Sequence, residues 1–272
     1  MKICIAGKND LATKCTDFLL SNQIVTSDEL LLCFNRSDNG VDSFQQSFKK
    51  YCLNLGLQET NLKNIYSIYD LIFISLEYDR IIDCNKFVTK SLFNIHFSLL
   101  PKYKGVYTSA WPILNGDTST GVTLHCIDNG IDTGDIIDQI EFPIDYNDNC
   151  RDLYQKYTNY GIILFKNNIH NLVSKNYQQT KQPSKLSSYF SKSSINYSNI
   201  TIDLNKTAFE IRNQIRAFNF KEYQIPEVYG HKIVASDILN SITRILPGSI
   251  LLETEQYIDI CTIDYDLRLY KA

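Results

Sequence analysis

The chain lacks the short signatures of several large enzyme classes. No Gly-x-Gly-x-x-Gly follows its first apolar segment, so the usual dinucleotide-binding fingerprint is absent. No Gly-x-Ser-x-Gly occurs either, which removes the nucleophile elbow of the serine hydrolases. There is no Cys-x-x-Cys pair and no histidine at metal-ligand spacing from a cysteine, and this argues against a zinc site.

The chain also lacks a charge excess and a long apolar run. Its 27 Lys and Arg residues face 30 Asp and Glu residues, so the formal net charge is −3 and no global basic field attracts nucleic acid. No uninterrupted apolar run reaches the length of a membrane span, and the apolar part of the N-terminus is too short for a signal peptide. We expect a cytoplasmic protein that binds neither nucleic acid nor membranes.

The eight cysteines are scattered along the chain and form no disulfide pattern. Reduced, mostly buried thiols are the expected state. None has an evident activating partner, because His125 and the adjacent Cys126 point to opposite faces of their strand. We therefore expect no covalent acyl-enzyme and no bound metal, and we expect His125 to be an outer-face residue.

Length and periodicity predict a main domain with an appendage. The chain has 272 residues, of which 44% are hydrophobic, so it can bury a sizeable core. Apolar strands such as Lys2–Ala6 and Leu71–Leu76 alternate with amphipathic helices, which predicts a doubly wound, Rossmann-like α/β domain with a mixed sheet. Short strands after residue 227 predict a small β-rich C-terminal appendage. The predicted domains are residues 1–185 and 186–272.

Local signals predict the ends of some helices and one linker. Asn9 or Asp10 is the expected N-cap of the first helix. Thr207 with Glu210 three residues later has the form of a capping box. Residues 176–198 are rich in Gln, Lys, Ser and Tyr and are predicted to be a linker.

The most informative segment runs from Phe93 to Asp135. Asn94 and His96 lie two residues apart and share one face of a predicted strand, where a buried parallel strand is normally apolar. Such polar residues destabilise the fold unless they are hydrogen-bonded, so either a satisfied structural pair or an active site is expected. The later run 128–135 fails the EF-hand spacing but can present Asp132 inward.

An amide, an imidazole and a carboxylate that meet at the ends of neighbouring strands suit acyl-type transfer to an amine. The amide can donate to a developing oxyanion, the imidazole can take the proton or the charge, and the carboxylate can orient water or the imidazole. The residues alone leave this as one hypothesis beside a purely structural role.

The same segment resembles the formyltransferases that use 10-formyltetrahydrofolate. The similarity comprises Phe-Asn-Ile-His at 93–96, Ser-Leu-Leu-Pro-x-Tyr-x-Gly at 98–105, Trp-Pro-Ile at 111–113, Gly-Val-Thr at 121–123 and Asp-x-Gly-x-Asp-x-Gly at 128–134. The resemblance implies that Asn94, His96 and Asp132 are catalytic. It also implies that formylated folate lies between segment 79–82 and loop 127–132, and the predicted folate-binding residues are Asp79, Arg80, Ile81, Ile127 and Asp128.

Within that family, the small β-rich tail and the segment 215–226 resemble the N-formyltransferases of nucleotide-linked amino sugars. The preferred acceptor is dTDP-4-amino-4,6-dideoxyglucose, for surface polysaccharide (O-antigen) synthesis, with dTDP-3-amino sugars and UDP-4-amino-arabinose behind it. The predicted substrate-binding residues are Lys8, Asn9, Lys102, Tyr103, Arg216, Phe220 and Tyr223. Phe220 and Tyr223 can equally serve to pack the appendage.

Two alternatives stay open from the sequence. One is a methionyl-tRNA formyltransferase, although the segment after Ser198 is short and not basic. The other is a folate-binding or scaffold protein without turnover. Exposed β edges in the tail also predict a homodimer.

Overall fold

The computed structural model describes all residues, 1–272. It contains six α-helices and thirteen strands. The helices are α1 (Asn9–Ser21), α2 (Phe48–Asn54), α3 (Leu62–Ile65), α4 (Trp111–Leu114), α5 (Cys150–Val173) and α6 (Ala208–Phe218). The strands are β1 (Lys2–Gly7), β2 (Leu30–Phe34), β3 (Leu71–Leu76), β4 (Leu92–His96), β5 (Lys104–Gly105), β6 (Ser119–Cys126), β7 (Ile136–Pro143), β8 (Tyr189–Phe190), β9 (Glu227–Val228), β10 (His231–Ile238), β11 (Ile250–Glu253), β12 (Tyr257–Ile260) and β13 (Leu267–Lys271).

The main sheet has six strands in the order β2-β1-β3-β4-β6-β7. Strands β2, β1, β3 and β4 are parallel, and β6 pairs antiparallel to β4. The inner strand β1 is apolar on both faces because helices cover both sides of a parallel sheet, and its residues Ile3 to Ala6 are fully buried. The predicted α/β class with a mixed sheet is confirmed.

Helix α1 begins differently from the prediction. Its N-cap is Lys8, which makes no side-chain cap, so the assignment of Asn9 or Asp10 as the N-cap is wrong. Asn9 has a left-handed φ of 58°, which asparagine tolerates better than most residues. Asp10 lies in the first turn, where a carboxylate favours the helix dipole, and it accepts a hydrogen bond from the backbone N–H of Gln46.

The C-terminal sheet has five strands in the order β11-β12-β13-β10-β9. Helix α6 packs on it through Ile211 and Ile215, which belong to one buried cluster with Ile233 and Leu269. The predicted capping box of α6 is present: Thr207 accepts from the backbone N–H of Glu210, and the Glu210 carboxylate accepts from that of Thr207. Such a cap stabilises a helix by about 1 kcal/mol. The predicted β-rich appendage is therefore confirmed.

The chain forms two compact units from non-contiguous segments. The first consists of Met1–Gly105, Gly121–Glu141 and Lys156–Tyr189, and the second of Val106–Thr120, Phe142–Gln155 and Phe190–Ala272. A division at residue 185 stays a prediction. The predicted linker 176–198 is structured in part, because β8 pairs with β5 and Thr180 forms a β-bridge with Ile136. None of the helices combines the length and the apolar content needed to cross a membrane.

Candidate active site

The register of β4 and β6 brings the polar residues of the site together. Asn94 lies opposite His125, and His96 lies opposite Thr123. Directly opposed residues point to the same face of an antiparallel pair, so the side chains of Asn94, His96 and His125 share one face of the sheet. The structure thus brings together the Asn and the His of the predicted catalytic set.

The orientation of the His96 ring follows from one hydrogen bond. Its Nε2 lies 2.8 Å from the backbone carbonyl oxygen of Tyr103. A carbonyl only accepts, so Nε2 carries a hydrogen, and in the neutral ring Nδ1 holds a lone pair. That Nδ1 lies 3.6 Å from Oδ2 of Asp132. His96 is therefore a buried imidazole whose basic nitrogen faces a carboxylate.

Tyr103 presents its carbonyl to His96 through an unusual backbone conformation. Its φ is 59°, in the left-handed region, and its backbone N–H donates to Oγ of Ser188 at 2.8 Å. The Tyr103 side chain is only 5% exposed. The role that the geometry gives this residue is to hold the histidine, and the predicted substrate contact of Tyr103 stays a prediction.

Asp132 lies between two histidines and a backbone donor. Its Oδ2 accepts from the backbone N–H of Gly105 at 2.9 Å, and its Oδ1 lies 3.7 Å from Nε2 of His125. Burial raises the pKa of Asp132, but the attraction of the His96 and His125 rings in their positively charged form and the hydrogen bond from the Gly105 N–H outweigh burial and hold that pKa well below its usual range. The carboxylate is therefore ionised at neutral pH.

A glycine allows the loop that carries Asp132 to lie close to the end of β6. A Cβ added at Gly134 would lie 1.8 Å from the backbone oxygen of Cys126, so no other residue fits there without movement. Asp132 itself has a left-handed φ of 54°, which aspartate tolerates through its short polar side chain. The Asp-x-Gly pattern of the sequence thus has a steric reason.

His125 is not the outer-face residue that the sequence predicts. It is 2% exposed, its Nε2 lies 3.0 Å from Nδ2 of Asn94, and its Nδ1 lies 2.8 Å from the backbone oxygen of Cys126. The prediction was wrong because it considered only the alternation of residues along β6 and not the strand with which β6 pairs. The pairing of β6 with β4 places the His125 side chain on the same face as Asn94.

Gln182 is a site residue that sequence reasoning missed. Its Nε2 donates to the backbone oxygens of Asp132 and Gly134, at 2.9 and 2.7 Å. It therefore holds the loop that presents the Asp132 carboxylate. No local pattern marks this glutamine, since it lies in the polar segment predicted to be a linker.

Two loops carry the predicted folate-binding residues. Asp79 accepts from the backbone N–H and from Nε of Arg36, which ties the loop after β3 to the loop after β2. Arg80 is exposed, and the Ile81 side chain is 80% exposed although it is apolar. These contacts define the shape of the loop, while contact with folate stays a prediction for Asp79, Arg80 and Ile81.

The second predicted folate segment is connected to the region after β3. Asn129 Oδ1 accepts from Nδ2 of Asn85 at 2.8 Å, so loop 127–132 and the turn at Cys84–Lys86 are joined. Asp128 accepts from the backbone N–H of Gly130 and from the hydroxyl of Thr133, which shapes the loop. Ile127 is half-buried beside it. Folate contact by Ile127 and Asp128 stays a prediction.

The predicted substrate residues of the first unit lie in loops. Lys8 and Asn9 follow the carboxyl end of β1 and are half-buried, and the backbone oxygen of Asn9 accepts from the Thr13 hydroxyl. Lys102 is exposed in the loop after β4. Loops at strand carboxyl ends are where open α/β sheets bind ligands. The assignment of these residues to the substrate stays a prediction.

The predicted substrate residues of the second unit differ in exposure. Arg216 donates through Nη1 to the backbone oxygens of Asp145 and Asp148, and burial, with Arg212 nearby, lowers the pKa of Arg216 to about 10. Phe220 is buried and packs against the ring of Tyr154. Tyr223 is 67% exposed and contacts Phe220. Phe220 thus makes packing contacts, as expected if it serves to pack the appendage. The ring of Tyr223 is mostly exposed to solvent.

The cysteine nearest the site is a thiol. Burial, with Asp135 and Asp128 nearby, raises the pKa of Cys126 to about 11. No group of three or more His, Cys, Asp or Glu side chains is placed so that it can hold a metal ion.

Known proteins resemble this chain over part or all of its length. A family model described as formyl transferase matches residues 60–169. The methionyl-tRNA formyltransferase of Clostridioides difficile (strain 630) is 37% identical over 126 residues, which cover 46% of this chain and 40% of that protein. The methionyl-tRNA formyltransferase of Fervidobacterium nodosum is 31% identical over 218 residues, which cover 76% of this chain and 67% of that protein. The chain thus spans less than half the length of the first of these relatives.

Two solved structures match along the entire chain. One is the N-formyltransferase from Helicobacter canadensis in complex with folinic acid and dTDP-3-aminofucose, with a TM-score of 0.93, 47% identity and 100% of both chains covered. The other is WlaRD, a sugar 3N-formyl transferase in the presence of dTDP and 5-N-formyl-THF, with the same TM-score and identity, covering 100% of this chain and 97% of that one. The predicted family resemblance is confirmed. A likeness of this extent goes beyond a shared fold, and the chain belongs to the formyltransferase family.

Proposed function

We propose that this protein transfers the formyl group of 10-formyltetrahydrofolate to the amine of a dTDP-linked amino sugar. One observation carries the proposal: the chain is 47% identical over its full length to a sugar 3N-formyl transferase. The geometry agrees with it, because Asn94, His96 and Asp132 lie together at the end of β4. The partial matches to methionyl-tRNA formyltransferases are weaker, at 31% and 37% identity.

The reaction forms one C–N bond and breaks another. The neutral amine of the sugar attacks the formyl carbon, and a tetrahedral intermediate forms with its negative charge on the formyl oxygen. The amine loses a proton, the bond between the formyl carbon and N10 of the folate breaks, and N10 takes up a proton. The site has to stabilise an oxyanion and move one proton, and no protein nucleophile is needed.

His96 is the group that takes the proton. Its Nε2–H is held by the Tyr103 carbonyl, so Nδ1 is the nitrogen that can accept. Protonation of Nδ1 creates an imidazolium 3.6 Å from the ionised Asp132, and the carboxylate stabilises that charge. The same proton can then pass to the leaving N10.

Asn94 supplies the donor for the oxyanion. Its carboxamide lies on the same face of β4 as the His96 ring, and it is partly buried. An amide N–H held rigidly in a partly desolvated site stabilises a developing oxyanion more strongly than water does.

The two loops predicted to bind folate support the co-substrate assignment. The 80% exposed Ile81 offers apolar surface next to a strand carboxyl end, where ligands of open sheets bind. The hydrogen bond between Asn85 and Asn129 joins the turn after that segment to loop 127–132. A flat pteridine ring needs such a combination of apolar surface and backbone groups.

The comparisons favour a 3-amino sugar over the 4-amino sugar preferred from the sequence. The two proteins at 47% identity are a 3N-formyl transferase and an enzyme crystallised with dTDP-3-aminofucose. The 4-N formyltransferase from Francisella tularensis is 24% identical, which speaks for the fold alone. We therefore propose a dTDP-3-amino-3,6-dideoxyhexose as the acceptor, for the synthesis of a surface polysaccharide such as O-antigen.

Incubation with 10-formyltetrahydrofolate and dTDP-3-aminofucose is expected to yield the N-formyl sugar nucleotide. Mass spectrometry detects the gain of one formyl group. The dTDP-4-amino-4,6-dideoxyglucose and UDP-4-amino-arabinose analogues, tested under the same conditions, are expected to give kcat/KM values at least about tenfold lower, because their amines are misplaced relative to the formyl carbon.

Controls separate the alternatives. Formylation of charged initiator tRNA in place of every sugar nucleotide would overturn the proposal in favour of a tRNA formyltransferase. Binding of folate without turnover on any acceptor would instead support a folate-binding protein.

We also propose that the protein is a homodimer. Strand β11 is an edge of the five-stranded sheet, and its side chains Ile250, Leu251 and Leu252 are all exposed. An apolar edge strand is complementary to a second copy of itself. Light scattering is expected to give twice the mass of one chain, and Leu251→Lys to shift the protein toward monomer. A monomeric wild-type protein would contradict this.

A further inference from the structure

We infer that His125 is a positioning residue that orients the Asn94 carboxamide for the transfer reaction. The inference rests on the proposed function, in which Asn94 donates a hydrogen bond to the oxyanion. It concerns a histidine outside the predicted catalytic, folate-binding and sugar-binding residues: His125 is 2% exposed and lies opposite Asn94 in the register of β4 and β6.

The first step is the tautomer of His125. Its Nδ1 lies 2.8 Å from the backbone oxygen of Cys126, and a carbonyl oxygen can only accept. Nδ1 therefore carries a hydrogen. In the neutral ring, Nε2 then has a lone pair and no hydrogen, and it is an acceptor.

The second step is the orientation of Asn94. The group of Asn94 that lies 3.0 Å from Nε2 of His125 has to donate, so it is the NH2 group and not the carbonyl oxygen. An amide turned by 180° would bring two lone pairs together. Neutral His125 thus selects one of the two orientations of the carboxamide.

The third step links this orientation to the chemistry. An NH2 group has two hydrogens, and one is occupied by His125. The second hydrogen is left to donate to the formyl oxygen as its negative charge develops. In the turned orientation the carbonyl oxygen of Asn94 would take that place and repel the oxyanion.

Asp132 is the other charged group near the ring. Its Oδ1 lies 3.7 Å from Nε2 of His125, beyond hydrogen-bond distance, whereas Asn94 lies at 3.0 Å. The His96 ring is farther away, with 6.4 Å between the ring centroids. The geometry therefore couples His125 to Asn94 more closely than to Asp132 or His96.

The test uses two substitutions of different chemistry. His125→Leu removes the acceptor and keeps an apolar side chain of comparable size, and His125→Gln offers an amide oxygen that can accept from Asn94. We expect kcat to fall by about 10- to 100-fold in His125→Leu and by less than about tenfold in His125→Gln, with the KM for both substrates nearly unchanged. The exposed His170→Gln is the matched control.

A double-mutant cycle separates positioning from a general loss of structure. In an Asn94→Ala background, His125→Leu is expected to reduce kcat further by less than about threefold, because the amide that His125 orients is gone. In an Asp132→Asn background, the full loss is expected to remain. If His125→Leu lowers kcat by the same factor in the wild-type and Asn94→Ala backgrounds, the inference is overturned. It is also overturned if His125→Leu lowers kcat in the wild-type and Asn94→Ala backgrounds but not in the Asp132→Asn background.

A spectroscopic readout is independent of turnover. The chain has four histidines, so their ring nitrogens can be assigned by ¹⁵N NMR with single substitutions. Neutral His125 with its hydrogen on Nδ1 is expected, and Asn94→Ala is expected to shift the Nε2 resonance. A doubly protonated His125 at the pH of activity, or an Nε2 resonance that Asn94→Ala leaves unmoved, refutes the inference. If the wild-type protein formylates no acceptor, the proposed function is refuted. The contact between His125 and Asn94 would then be tested by the NMR measurement alone.

Discussion

Replacing His96 with asparagine is expected to reduce kcat by about 10³-fold, the middle of the range for a positioned acid–base group. The asparagine amide reaches only to about the position of Nδ1, so the hydrogen bond that Nε2 of His96 donates to the Tyr103 carbonyl is lost as well. It cannot accept a proton where Nδ1 of His96 stands, and it cannot form an imidazolium beside Asp132. Single-turnover formation of the N-formyl sugar nucleotide, with dTDP binding measured in parallel, provides the test.

The control for this variant is His170→Asn, which makes the same change at an exposed position of α5. It is expected to retain wild-type activity. His96→Asn should keep the wild-type unfolding temperature within a few degrees and bind dTDP normally. Activity that survives within about tenfold of wild type in His96→Asn would show that the proton goes elsewhere, for example to a water molecule held by Asp132.

Asp132→Asn is expected to lower kcat by about 10²- to 10³-fold. The amide oxygen can still accept from the Gly105 N–H, so the loop keeps one of its contacts. The negative charge that stabilises the His96 imidazolium is lost. The loss should appear in kcat, and the KM for the sugar nucleotide should change little. Asp28→Asn, at an exposed position with the same chemical change, serves as the control.

The difference in stability between the wild-type protein and Asp132→Asn should depend on pH in a defined direction. The folded-state pKa of Asp132 is depressed, so its ionisation stabilises the fold at pH values above the unfolded pKa of about 4, and this contribution is lost as the pH falls further. The difference in unfolding temperature between wild type and Asp132→Asn is therefore expected to have its largest value near neutral pH and to shrink below about pH 4. A difference that grows on acidification below that pH would contradict the depressed pKa.

The main elements of the fold could be predicted because they depend on local pattern. The apolar run Leu71–Leu76 and the Thr207–Glu210 capping box carry their structure in adjacent residues, and both are found where predicted. Strand β1 is likewise apolar on both faces, as a strand covered by helices requires. Local signals failed at α1, where the expected cap at Asn9 or Asp10 is instead an uncapped Lys8.

The candidate catalytic set could be singled out from the sequence because its residue types are unusual at their positions. Asn94 and His96 are polar where a parallel strand should be apolar, and Asp132 lies in a loop with glycines at 130 and 134. The family resemblance added what the residues alone do not state, namely formyl transfer from a folate. Nothing local distinguished these residues from a satisfied structural pair.

Other parts of the site depend on contacts between distant segments. Gln182 holds the loop of Asp132 from 50 positions away, and the carbonyl of Tyr103 fixes the His96 tautomer. His125 was assigned to the wrong role because the side to which a strand residue points is known only when the partner strand and its register are known. Such contacts leave no periodic trace in the sequence.

The sequence by itself determined the α/β class with its mixed sheet, and its resemblance to the formyltransferases determined the family and the three residues Asn94, His96 and Asp132 as the candidate catalytic set. The class follows from periodicity, and the family and the candidate set follow from several short motifs whose order and spacing resemble that family. Only the tertiary structure decided which nitrogen of His96 is basic, why the Asp132 carboxylate stays ionised, and that His125 contacts Asn94. The physical reason is that tautomer, pKa and amide orientation are set by neighbours within a few ångströms in space, and those neighbours come from strands and loops far apart in the chain.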